Sequence, residues 1–90
     1  MGTVVGLIRV MPAEVIEDDK INKLVEDIKV LIKPPAKIGK IEVKNIAFGL
    51  KGVDVTVLIP DSEGGLDPLV EQISKVDNAD SVEVTDVGLL

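Results

Sequence analysis

The sequence predicts an α+β fold of element order βαββαβ, with two helices on one face of a four-stranded antiparallel sheet. Three observations predict it. Residues 3–11 and 53–59 are rich in the β-branched residues that fit a pleated, half-buried surface. Two segments between strand patterns repeat their apolar residues at helical spacing. A chain of 90 residues that is 46% hydrophobic has the material for one core and for one domain spanning 1–90.

Thr3 to Met11 reads as the first strand. It is apolar on both parities, with Val4, Ile8 and Val10 on one face and Val5, Leu7 and Met11 on the other. A strand covered on both sides has this pattern, and Pro12 ends it. Glu17, Asp18 and Asp19 then open a helix, where acids suit the positive end of the macrodipole. Ile21, Leu24, Val25, Ile28 and Leu31 form its apolar stripe, and Pro34 and Pro35 forbid continuation.

Ile38 to Val43 and Ile46 to Phe48 give a second, less regular strand carrying Lys37, Lys40 and Lys44, residues of the kind that guard a sheet edge. Gly49 and Gly52 flank the expected turn into the third strand, Val53 to Ile59, with Val53, Val55, Val57 and Ile59 inward and Asp54 and Thr56 outward. A loop over 60–65 leads to a short helix, with Asp67 as its expected cap, Pro68 as its first residue, and Leu69, Val70, Ile73 and Val76 as its stripe. After a turn at Asp77, Asn78 and Asp80, Ser81 to Val87 is the fourth strand, with Val82 and Val84 inward.

This order matches the ferredoxin-like sandwich, in which the first and third strands are central and the lysine-rich second strand falls at an edge. By parity the open face shows Val5, Leu7, Arg9, Asp54, Thr56, Leu58, Glu83, Thr85 and Val87. That mixture fits a contact surface and an ordinary half-exposed sheet equally well.

Composition removes several classes of chemistry. The chain has no His, Cys, Trp or Tyr and one Phe. Without His there is no imidazole base or nucleophile–His pair. Without Cys and His a zinc site would need carboxylates alone, and no disulfide or redox motif is possible. One aromatic residue cannot build a base-stacking platform. The net charge of −6 argues against nucleic acid and anionic membranes as partners. Charge is also polarised: residues 20–51 hold eight lysines against three acids, and residues 52–90 hold one lysine against nine. Such polarity orients a protein partner or simply solvates a surface. No segment resembles a membrane span or a targeting signal, so a cytoplasmic location is the expectation.

Candidate ligand sites are few. Glu63-Gly64-Gly65 lacks the Lys-Ser/Thr of a nucleotide-binding loop and reads as a turn. Asp61, Glu63 and Asp67 are not spaced as a calcium loop. No metal or cofactor is therefore expected. Phe48 stands between Ala47 and Gly49, which suits an aromatic anchor entering a partner's pocket, although position alone favours a plain core residue. By elimination the chain is a binding or regulatory protein rather than an enzyme.

Four segments together resemble the archaeal translation elongation factor 1-beta family. They are Gly6-Leu7-Ile8-Arg9-Val10-Met11-Pro12, Ile46-Ala47-Phe48-Gly49-Leu50, Glu63-Gly64-Gly65 and Val82-Glu83-Val84-Thr85-Asp86-Val87. The resemblance runs end to end in the same element order. It implies a guanine nucleotide exchange factor for the GTPase elongation factor 1-alpha, with no cofactor of its own. It also implies two contact regions. An aromatic residue at the position of Phe48, between Ala47 and Gly49, inserts into the GTPase. The C-terminal strand end, here Asp86, Val87, Gly88, Leu89 and Leu90, reaches toward its magnesium and phosphate site. The family places a lysine or arginine beside its last residues, whereas the nearest charge here is Asp86. The expected means is then either insertion of Phe48 with displacement of the GTPase switch region, or steric action of Leu89. A monomer is expected for an exchange factor. The alternative for this element order is a small-molecule-sensing regulatory domain that dimerises through its open face or an edge strand.

Overall fold

The chain folds as βαββαβ in a computed structural model that describes residues 2–34, 36–47, 49–60 and 66–89. The strands are β1 (Thr3–Met11), β2 (Lys37–Ala47), β3 (Leu50–Pro60) and β4 (Ser81–Leu89); the helices are α1 (Asp18–Leu31) and α2 (Asp67–Ile73). One antiparallel sheet has the order β2-β3-β1-β4, so the two most apolar strands are central and the lysine-rich strand is an edge. This is the ferredoxin-like arrangement that the sequence predicts.

The core lies between the sheet and the helices. Ile8 and Val10 of β1, Val53, Val55 and Val57 of β3, and Leu24 and Ile28 of α1 are fully or almost fully buried. Ile73 brings α2 into the same cluster, and Val82 and Val84 pack against it from β4. The period of 3.6 in the helix and of 2 in the strands brings these side chains to one layer. α1 starts without a side-chain cap; the Glu17 carbonyl accepts hydrogen bonds from the amides of Lys20 and Ile21. Its first turn is tied to β3 by an ion pair between Asp18 and Lys51 at 2.8 Å.

Several local expectations are corrected. β2 is one strand from Lys37 to Ala47; its irregularity takes the form of two register breaks, at 38–40 and 45–47. Gly52 lies inside β3, and a Cβ there would come within 3.1 Å of Ile46 and 3.2 Å of Met11. The turn is carried by Gly49 alone of the two glycines, at a φ of +83° that favours glycine. Asp67 is the first helical residue rather than the cap, which is Leu66. Val87 does not share the open face with Val5. The β1–β4 register shifts between Leu7 and Ile8: Ile8 pairs with Val84 and Leu7 with Asp86, leaving Thr85 as an extra residue in a β-bulge. Val87 consequently pairs with Gly6 and lines a hollow on the helix side with Val4, Leu66 and Val84.

Candidate functional site

The two regions singled out by resemblance lie at opposite ends of the sheet and on opposite edges. The first closes the β2–β3 hairpin. Ala47 pairs with Leu50, and Gly49 is exposed, with no described atom beyond its chain neighbours within 4 Å of where a Cβ would stand. Phe48 lies outside the described residues. The second region is the end of β4. Asp86, Val87, Gly88 and Leu89 pair with Leu7, Gly6, Val5 and Val4, and Leu90 lies outside the described residues. Through Leu7, Asp86 stands level with Thr56, six residues along β3 from Leu50, and through Val4, Leu89 stands level with Ile59, nine residues along, so at strand rise the second region lies about 20 to 30 Å from the turn. The molecule is 42 Å long, and the two regions take up most of that length.

Between them, the open face is charged at one level and apolar at the next. Glu83, Arg9, Asp54 and Glu42 occupy one row across all four strands. Arg9 donates from Nε to Asp54 Oδ1 at 2.9 Å and from Nη2 to Oδ2 at 3.1 Å. Lys44 approaches Asp54 Oδ2 and Glu42 Oε2, each at 3.5 Å, and Lys40 pairs with Glu42 on the edge strand. Parity alone puts Asp54 outward, which is right, but its neighbours cover it to 6% exposure. The Arg9 hydrogen bonds hold its carboxyl below the ordinary aspartate range, against the opposing effect of burial. A buried acid with that partner is a structural anion, unsuited to donating or taking a proton near neutral pH.

Toward the β4 end the face becomes apolar. Val5, Leu7 and Thr56 line a hollow with Asp86, Gly88 and Leu89. The bulge puts Asp86 and Gly88 there, and the Thr85 hydroxyl donates to the Leu7 carbonyl at 3.2 Å. Val87 and Leu89 are 55% and 71% exposed, so the strand end presents apolar surface to solvent. Of the cation candidates, Asp61 and Glu63 lie outside the described residues, as does Gly64-Gly65, and Asp67 is exposed in the first turn of α2. No described helix is long and apolar enough to cross a membrane.

Two features escape a reading by simple alternation: the Arg9–Asp54 pair and the bulge. Both left a signal. Arg9 and Asp54 share a face by parity, and only the register was needed to pair them. The apolar residues of β4 fall at 82, 84, 87 and 89, a phase slip of one residue that a bulge at Thr85 absorbs.

Comparison with known proteins bears on function directly. Residues 5–90 match the EF-1 guanine nucleotide exchange domain. The elongation factor 1-beta of Methanocella arvoryzae is 43% identical over 88 residues, covering 98% of this chain and 97% of its own. That of Archaeoglobus fulgidus is 39% identical over 90 residues, with both chains covered completely. That of Methanothermobacter thermautotrophicus is 37% identical over 90 residues, covering 100% and 99%. Among solved structures, the de novo designed protein Foldit4 superposes with a TM-score of 0.59 at 22% identity, covering 100% of this chain and 97% of its own, a likeness of fold alone. The match over 5–90 and the near-complete relatives at 37–43% identity lead to one conclusion: this chain belongs to the EF-1 guanine nucleotide exchange domain family.

Proposed function

We propose that this chain, acting as one exchange domain, promotes the replacement of GDP by GTP on elongation factor 1-alpha by binding that GTPase and destabilising its nucleotide and magnesium site. The observation that carries the reading is the match of residues 5–90 to a guanine nucleotide exchange domain. The geometry supports a contact at two points. The hairpin turn beside Ala47 and Gly49 and the strand end from Asp86 onward lie far enough apart to engage separate parts of a larger partner.

The physical logic is linkage. A protein that binds the nucleotide-free GTPase more tightly than the GDP–Mg²⁺ form lowers the affinity for nucleotide by the same factor. Moving the partner from 1:99 to 99:1 needs a ratio of about 10⁴, or about 5.5 kcal/mol of differential binding. No covalent bond is made or broken, so a chain without His or Cys loses nothing by their absence. Phe48 supplies the anchor: in sequence it precedes Gly49, an exposed turn residue, and an aromatic next to an exposed glycine suits insertion into a pocket. The strand end acts by shape, through Val87 and Leu89, because the nearest charge is the acid Asp86. The other reading of this element order, a small-molecule-sensing homodimer, rests on the fold alone, and a fold does not select a function.

The test is release of labelled GDP from the cognate GTPase. Micromolar chain should accelerate release, and Phe48→Ala should lower the effect about tenfold or more, the loss typical of an aromatic anchor. No acceleration by the unaltered chain contradicts the function. Full activity of Phe48→Ala contradicts the role of Phe48.

A further inference from the structure

We propose that Thr85 is a positioning residue: the β-bulge it forms aims the C-terminal end of β4 at the partner. The inference rests on the exchange reading above. The bulge is the single register break between β1 and β4, and it falls immediately before Asp86, the first residue of the candidate contact segment. Bulges bend a strand, add twist and re-aim the residues beyond them, and they concentrate beside functional sites.

Beyond the bulge the β4 side chains keep the faces that the shifted register gives them: Val87, paired with Gly6, lines the helix-side hollow with Val4, and Leu89, paired with Val4, comes within 3.8 Å of where a Cβ on Gly2 would stand. The Thr85 hydroxyl donates to the Leu7 carbonyl, so the extra residue is fastened to β1 at the bulge itself.

Leaving Thr85 out of the ladder also decides which side chains face which way. In an unbulged ladder with Thr85 opposite Leu7, Asp86 would fall opposite Gly6. That position faces the helices, where Leu66 stands 2.2 Å from the ideal Cβ of Gly6. A carboxylate against that buried leucine would lack a partner. The bulge places Asp86 on the open face instead and gives the apolar side of the strand to Val87.

Deletion of Thr85 separates aim from pairing. Val84 would still pair with Ile8, Asp86 with Leu7 and Val87 with Gly6, in a regular ladder with the same faces but without the bend. Cross-strand nuclear Overhauser contacts between Leu7 and Asp86 check that this ladder has formed. The deletion should lower the maximum GDP release rate by about tenfold or more, as misplacement of a reacting surface by an ångström or so does, with a smaller change in the half-saturating concentration. Thr85→Ser, which keeps both hydroxyl and bulge, should retain exchange. A second variant inserts Gly between Thr85 and Asp86 at the exposed strand end, away from the core, and should lose exchange with the fold intact. Wild-type release by either the deletion or the insertion overturns the inference alone. No release with the unaltered chain overturns the exchange reading and the inference with it.

Discussion

Gly6 sits in the middle of β1, between Val57 of β3 and Val87 of β4, where a side chain would ordinarily strengthen the sheet. A Cβ there would lie 2.2 Å from Leu66 Cδ1 and 2.9 Å from Cδ2. Carbon atoms pack at about 3.5–4.0 Å, so in Gly6→Ala the Leu66 side chain must retreat by more than about 1 Å. Leu66 is buried in the core cluster and immediately precedes α2, so its retreat disturbs the start of that helix. Overpacking of this kind costs about 1–3 kcal/mol. The alanine recovers about 0.4–1 kcal/mol by restricting the unfolded chain, because Gly6 does not need a positive φ. The net expectation is a loss of about 1–2 kcal/mol, or about 4–16 °C in Tm for a domain of this size. Urea unfolding of Gly6→Ala, Leu66→Ala and the double variant measures it. Leu66→Ala alone should cost about 2–5 kcal/mol. The double variant should be more stable than the sum of the two by about 1 kcal/mol or more, since the alanine fills space that the leucine vacates. A Gly6→Ala protein as stable as the wild type, or strictly additive losses, would refute the reasoning.

Packing and charge set two further outcomes. Leu24→Ala on α1 should cost about 2–5 kcal/mol because Leu24 is 1% exposed, whereas Val30→Ala on the same helix should stay within about 0.5 kcal/mol because Val30 is 65% exposed; equal losses in urea would contradict the assignment of the helix face. Folding lowers the Asp54 carboxyl below its ordinary value, so its contribution to stability is present above about pH 4 and is lost as pH falls through the lower folded value. Asp18 and Glu42 shift the same way, so Asp54→Asn should flatten part, not all, of the acid limb of stability against pH. An unchanged acid limb would show that the Arg9 contact is absent in solution.

Most of the architecture was legible because the driving force is apolar patterning. Ile8, Val10, Val53, Val55 and Val57 mark the central strands, and Ile21, Leu24 and Ile28 mark the buried face of α1, by spacing alone. Lys37, Lys40 and Lys44 mark β2 as an edge for a different reason: charged side chains protect an unpaired row of backbone groups from unwanted pairing. Register was harder. Strict alternation extended through Val84 put Val87 on the open face, and the bulge reversed it. Alternation also says which way Asp54 points but not that Arg9 and Lys44 close over it, since that depends on which residue of the neighbouring strand stands opposite. At the start of α2, Asp67 has the chemistry of a cap, but the helix begins one residue earlier than a cap would require, and Leu66 is held there by burial instead. The candidate contact residues came from resemblance rather than patterning: a turn and a strand end bear no periodic signal, and the described ones, Gly49 and Asp86 to Leu89, are exposed.

The central claim is a difference in affinity, and it is measured most directly by titrating this chain calorimetrically into elongation factor 1-alpha in two states, nucleotide-free and loaded with GDP and Mg²⁺. Binding should be tighter to the nucleotide-free form, and the ratio of the two dissociation constants should equal the factor by which the chain weakens GDP binding, measured separately. Equal affinities for the two states would contradict the account, however tight the binding, because a partner that does not discriminate between them shifts nothing.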